Sequence, residues 1–407
     1  MTYLLYILYL YMMFSNVLER YIGIFRYADE GLCILLLFIA LAKVFRTHDA
    51  ILEKTDMMIV VGIICLFLIG IISTVQANVI ETYTVIVKDI VLTFKFFIAF
   101  ISIKILLEDF RSKQLSKMLT TTSKIILVLH FLFSIATQFV NTGMSDEMRH
   151  GIKCYQFFYS HYTFLVFYVV VLLCTINCGE KKSLKYDVLG TCVLIFTART
   201  KAIMFIVIYF IIKYFIIKVK KNGNFIINFK KRYIILAGIG ALMVGYSKIQ
   251  DYIGWGYSFN LRNALYVRGL QIAGRFFPLG SGFGSFATNI SFEYKSKLYE
   301  EYNMYVIQGF VDGSPVVSDV FWPSIYSQFG IIGFCIYVGM LICIFKSIIG
   351  TKKICIEVKI SVFMLMLYLL VASIAEATFT NDCGVFAIVL SYIFLTKRNE
   401  MIQEDVE

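Results

Sequence analysis

The sequence predicts an all-α fold, a polytopic membrane bundle of about twelve transmembrane helices with one long external loop, and three observations predict it. The 407 residues are 59% hydrophobic and only 16% charged, against roughly 25% charged in an ordinary soluble domain. Apolar runs of about 17 to 25 residues, each able to cross about 30 Å of hydrocarbon, recur along the whole chain. Basic residues gather in alternate connections between those runs, as the positive-inside rule requires of a multi-span protein.

Taken in order, the expected spans lie near 3–18, 31–46, 57–75, 84–106, 119–140, 156–177, 187–198, 202–217, 233–249, 322–345, 357–376 and 383–396. The first, "YLLYILYLYMMFSNVL", has neither the basic leader nor the small-residue cleavage site of a signal peptide and reads as a retained span. The seventh is too short to cross alone. It pairs with the eighth as a helical hairpin broken at "TARTK", with a single tilted helix as the alternative. The whole chain, 1–407, reads as one integral membrane domain.

Orientation follows from the basic connections. Lys43, Arg46 and Lys54, then Lys104 and Arg111, then Lys181, Lys182 and Lys185, then "KVKKNGNFIINFKKR", fall on one side together with Lys352 and Lys397. That side is cytoplasmic, with both termini on it. The net charge of +11 is therefore a matter of topology and does not point to nucleic acid. The same assignment makes 250–321 one long external loop, far beyond the 2 to 8 residues that usually join bundle helices.

That loop gathers arginines. In "LRNALYVRGLQIAGRFFPLGSGFGSF" the spacing predicts an amphipathic helix over 261–277, ended by Pro278. Arg268 and Arg275 are seven residues apart and share a face, with Arg262 offset by about a third of a turn. Gly280, Gly282 and Gly284 permit tight turns that let backbone approach a ligand. The segment reads either as an interfacial helix with snorkelling arginines or as an anion cradle whose guanidinium groups grip phosphate oxygens.

Arg199 lies between two apolar half-spans, where a charge facing lipid is costly, so it faces water or a partner. With Lys201 and the first N–H groups of the eighth helix it would form an anion site; otherwise it bonds carbonyls at a turn. Asp319, just before Trp322 and Pro323, can cap the tenth span or accept a proton from a sugar hydroxyl as general base. Lys88, Asp89, Lys95 and Glu376 are expected to pair within the bundle or to snorkel, with substrate contact as the alternative. His161, flanked by aromatics, reads as a hydrogen-bonded core residue, and His130 as structural. Ten cysteines are present, mostly inside apolar runs and without ligand spacing, so neither a metal site nor a disulfide framework is expected.

The "TART" turn, the arginine-glycine loop and the "SDVFWPSIYSQFGIIGF" stretch that follows it together resemble the O-antigen polymerase (Wzy) and O-antigen ligase family of membrane glycosyltransferases, over about 149–337. "RHGIKCYQFFYSHY", with Arg149 and Gly151, is similar to that family's earlier external arginine segment. Ligases carry a His-Asn pair where this chain has Asp319 and Val320; Ser318 with Asp319 looks like the polymerase form. The resemblance implies a transferase of the bacterial inner membrane that moves an undecaprenyl-pyrophosphate-linked oligosaccharide onto another lipid-linked repeat unit at the outer leaflet. It implies no cofactor and no metal, and a chain-length regulator and a flippase as protein partners. Arg199, Arg262 and Arg268 would bind the pyrophosphate, Arg275, Lys201 and Arg149 would support them, and Asp319 would be the base. A flippase for the same lipid-linked units, or a ligase, is the alternative.

Overall fold

The structure is a computed structural model that describes residues 1–47, 52–107, 110–179, 183–220, 260–307, 309–310, 317, 319–350 and 356–396. The expected span 233–249 and the first residues of the long loop lie outside the described residues. The described residues are 78% helical, and among them the strands amount to a two-residue ribbon, β1 (Met148–Arg149) paired antiparallel with β2 (Ile152–Lys153).

Among the described residues, eight α-helices precede the loop: α1 (Thr2–Tyr21), α2 (Ala28–Thr47), α3 (Lys54–Ala77), α4 (Tyr83–Leu107), α5 (Lys113–Phe139), α6 (Tyr162–Gly179), α7 (Leu184–Phe196) and α8 (Thr200–Lys220). Local chemistry sets their ends. The Ser112 side chain accepts from Leu115 N–H at the start of α5, and Glu53 with Asp56 forms a reciprocal cap on α3, which closes at Asn78 in the left-handed region. Both devices satisfy N–H and C=O groups that a helix end leaves orphaned.

Five described helices, α3, α4, α5, α6 and the later Trp322–Ile348 stretch, are long and apolar enough to cross a membrane. Of the twelve expected spans, these five meet the length and composition for crossing among the described residues. Helix α7 has 13 residues, a rise of about 20 Å, well short of the hydrocarbon thickness. It turns back on itself as expected: Lys213 of α8 is ion-paired with Asp187 at the start of α7, so the two run antiparallel with the break at Thr197–Arg199.

Helix α6 and the last described helix, α14 (Asp382–Leu395), are buried along almost their whole length. By contrast α3 exposes Met58, Val61, Ile64, Leu68 and Val75, a continuous apolar face of the kind that marks a lipid or protein contact. Of the expected charge pairs, that of Lys95 forms inside the bundle, whereas Lys88 is exposed and reaches the loop. Lys95 Nζ bonds Asp29 and lies 2.8 Å from Glu30, and Lys88 donates to Tyr294 Oη at 2.8 Å.

The long loop folds on itself. Helix α9 (Leu261–Arg275), capped by Asn260 accepting from Asn263 N–H, stops just before Pro278 as the sequence predicts. Its buried stripe, Leu261, Ala264, Leu265 and Ile272, joins Phe286, Tyr299, Phe310 and Val320 in a small second core, to which the short α10 (Asn289–Glu293) and α11 (Lys297–Glu301) add. Helix α9 packs on α12 (Trp322–Gly350), and α13 (Ile356–Ala372) follows.

The glycine stretch is where this cap enters the bundle. Gly282 N–H donates to Gln328 O at 2.8 Å and Phe283 N–H to Thr74 Oγ1 at 2.9 Å. Gly284 N–H donates to the buried Asp89 carboxylate at 2.8 Å. Gly282 has φ +85°, and a Cβ there would lie 2.4 Å from Thr74 backbone. Gly330 breaks α12 with φ 61° and ψ −166°, its missing Cβ leaving room for Pro278 O, which would otherwise be 2.1 Å away.

Gly282→Ala and Gly330→Ala should each cost several kcal/mol, because the strained backbone of about 1 to 3 kcal/mol is compounded by backbone overlap. Gly274→Ala, in α9 with nothing near its missing Cβ, should be neutral or stabilise by about 0.5 to 1 kcal/mol. Thermal melting of the three variants in detergent checks the contrast; equal melting temperatures would refute this account of the loop.

Candidate anion site at the hairpin tip

The site is built from three pieces of chain that meet at one end of the bundle. The first is the α7–α8 tip, where Ala198 takes φ 48° and Arg199 O accepts from Ala202 N–H at 3.0 Å. The second is the segment 141–161, which descends onto that tip through Tyr155 N–H donating to Phe196 O at 2.8 Å. Buried His130 holds this segment, its Nδ1 3.0 Å from Tyr155 Oη, as a structural histidine should. The third is α9 with the run into α12.

Arg199 is 15% exposed and lies 2.8 Å through Nη2 from Glu147 Oε2. Its guanidinium carbon is stacked 4.1 Å from the centre of the Tyr162 ring, a cation–π contact. Its Nε–H is buried without a partner. Nε and Nη2 form the parallel fork that suits two oxygens of one oxyanion, and here a single carboxylate oxygen meets it.

Lys201 bonds Glu376 and donates to Thr163 O at 3.4 Å. Arg262 Nη2 lies 2.6 Å from Asp319 Oδ2, with both side chains more than a third exposed. Arg149 Nε reaches the other oxygen of Glu147 at 2.5 Å. These groups act on one another: Arg199, Lys201, Asp319 and Arg262 all bear on His161. Among the described residues, four cations share three carboxylates across the site, an arrangement in which an anion could exchange for a carboxylate.

The structure divides the sequence expectations. It brings Arg149, Arg199, Lys201, Arg262 and Asp319 together. Arg268 instead bonds Gln271 Oε1 at 2.9 Å, and Arg275 bonds Glu301 and lies against the Phe276 ring. The N–H groups of Gly280, Gly282 and Gly284 are all taken by protein acceptors, so what their backbone approaches closely is helices, not open space. Glycine permits close approach either way, and burial of the loop decides which.

Two participants were missed. Glu147 stands two residues before Arg149, and alternate residues of an extended ribbon share a face, so the pair was readable. His161 is surface-accessible rather than core, and its neighbours come from distant segments, so local pattern gave no signal. Among the described residues no cluster of His, Cys, Asp and Glu could hold a metal ion. No protein-family model matches the chain, and no curated protein matches its sequence.

The Arg149 hydrogen bond and the Arg199 charge hold Glu147 below the usual carboxylate range. Its ion pair therefore contributes above the unfolded pKa, ~4.3, and is lost as pH falls through the lower folded value. Sulfate, doubly charged throughout, should bind more tightly as pH drops through that window. Glu147→Gln should bind it severalfold more tightly at pH 7 and show no such rise. Calorimetric titration of both proteins checks this.

Proposed function

We propose that the protein is a repeat-unit polymerase for O-antigen or capsule, of the O-antigen polymerase (Wzy) type, acting on undecaprenyl-pyrophosphate-linked oligosaccharides at the outer leaflet of the bacterial inner membrane. The observation that carries the reading is the half-occupied Arg199 fork beside Lys201, Arg262 and Asp319 at one end of an apolar bundle. The alternation of basic connections supports an outward-facing site and cytoplasmic termini, and the spans beyond the five apolar helices belong to the same reading.

The chemistry is a displacement at the anomeric carbon of the donor sugar. An acceptor hydroxyl oxygen bonds to that carbon, the bond to the diphosphate oxygen breaks, and the diphosphate leaves with the electron pair. Arg199, Lys201 and Arg262 stabilise the charge that develops on it. Arg262 has two possible partners, and its transfer from Asp319 to the diphosphate would free the Asp319 carboxylate to take the hydroxyl proton. Arg149 and Glu147 would exchange partners as the diphosphate enters. Arg268 and Arg275, on the other face of α9, would contact the membrane surface or the outer glycan.

Deletion of the gene should collapse the surface glycan ladder to single repeat units on a gel; total loss of exported units would instead identify a flippase. Arg199→Ala and Arg262→Ala should each lower chain lengthening about a hundredfold or more at normal protein level. Arg199→Lys should recover little of it if the fork geometry matters, and Arg268→Ala should be milder than either. A full ladder in both alanine variants at the tip and Arg262 would end the proposal.

A further inference from the structure

The tripeptide His161–Thr163 is the floor of the site. Arg199 stacks on the Tyr162 ring and Lys201 donates to Thr163 O, so His161 stands immediately beside both cations at the start of α6. The orientation of its proton is fixed by the backbone. Thr163 N–H, which can only donate, points at His161 Nδ1 at 3.3 Å, and Thr163 Oγ1 lies 3.0 Å from the same nitrogen. Nδ1 is therefore the acceptor, and a neutral ring carries its proton on Nε2. Desolvation in the recess, with the positive charges of Arg199 and Lys201, pushes the imidazole below its usual range, which keeps the ring neutral at pH 7. Lys201 and Arg199 come from the hairpin tip, Arg262 from α9 and Asp319 from the run into α12. Among the groups that bear on His161, Asp319 opposes the three cations.

A neutral N–H donor that keeps access to solvent beside three cations has a specific use. It can bond an oxyanion without adding charge, and it cannot serve as a base at Nε2 because that nitrogen already holds its proton. We propose that His161 is a substrate-binding residue of this site, its Nε2–H donating to an oxygen of the diphosphate that Arg199, Lys201 and Arg262 hold. The assignment rests on the diphosphate reading of the site given above.

Three substitutions separate this role from helix capping. In His161→Asn the side-chain oxygen can still accept from Thr163 N–H, but no donor reaches the Nε2 position. In His161→Gln an amide N–H stands near that position, and His161→Ala removes both. The full-length protein in detergent is titrated with inorganic pyrophosphate and with farnesyl diphosphate, and melting temperatures are recorded alongside. Asn should melt like the wild type yet bind both probes about tenfold more weakly, the loss expected for one hydrogen bond to a charged group. Gln should stay within about threefold of wild type. Asn binding like wild type while Arg199→Ala loses the probe, or Gln losing as much as Asn, overturns the role of His161 and leaves the diphosphate site standing. A wild-type protein that binds neither probe overturns the diphosphate site and this inference with it.

Discussion

The fold depends on placing a guanidinium inside an apolar bundle. Helix α7 has only 13 residues, and where the hairpin turns at its end Arg199 is left 15% exposed. An unpaired charge there would be costly by several kcal/mol. The protein meets the cost with an aromatic face below, a carboxylate to one side, and a piece of chain, 141–161, that dips in to supply both the carboxylate and a hydrogen bond to Phe196 O. The turn between α7 and α8 thus brings the descending segment and the cluster of charges together.

The glycine-rich stretch performs a different task from the one its composition suggests. Its backbone is bonded to Thr74 in α3, Asp89 in α4 and Gln328 in α12, three helices that the cap would otherwise only rest upon. Asp89, fully buried, meets the Gly284 N–H with its carboxylate side chain. With the stretch locked, α9 has a fixed seat on α12, and Arg262 at its first turn is held opposite Asp319, which leads into the same helix. Positioning and recognition are thus carried by different parts of one loop: the glycines set the frame, and the arginine at its start meets the site.

Much of this was legible in the sequence for physical reasons. Apolar length and the positive-inside bias announce membrane helices without any tertiary knowledge. Arg199 between apolar half-spans can be read as a break because a charge there demands a partner. The stop of α9 before Pro278 follows from proline chemistry. What escaped was pairing across long separations. Glu376 was expected to find a partner, yet nothing local says that the partner is Lys201. The glycines allowed two readings, and only the burial of Ser281, Phe283 and Ser285 separates contact with ligand from contact with helix. His161 looked like core because aromatic neighbours hide a residue that sits at the mouth of a helix.

The burial of α14 has a consequence for how the molecule is made. This helix follows every other described helix in the chain, yet it sits at the centre, against α1, α2, α4, α6 and α13. Segments emerging earlier from the ribosome must wait with a vacant axis, and the bundle can close only when that late arrival threads into place. Insertion order and spatial order therefore run opposite to each other, so an interrupted translation product would lack its keystone and expose the inner faces of its neighbours to lipid and to proteolysis.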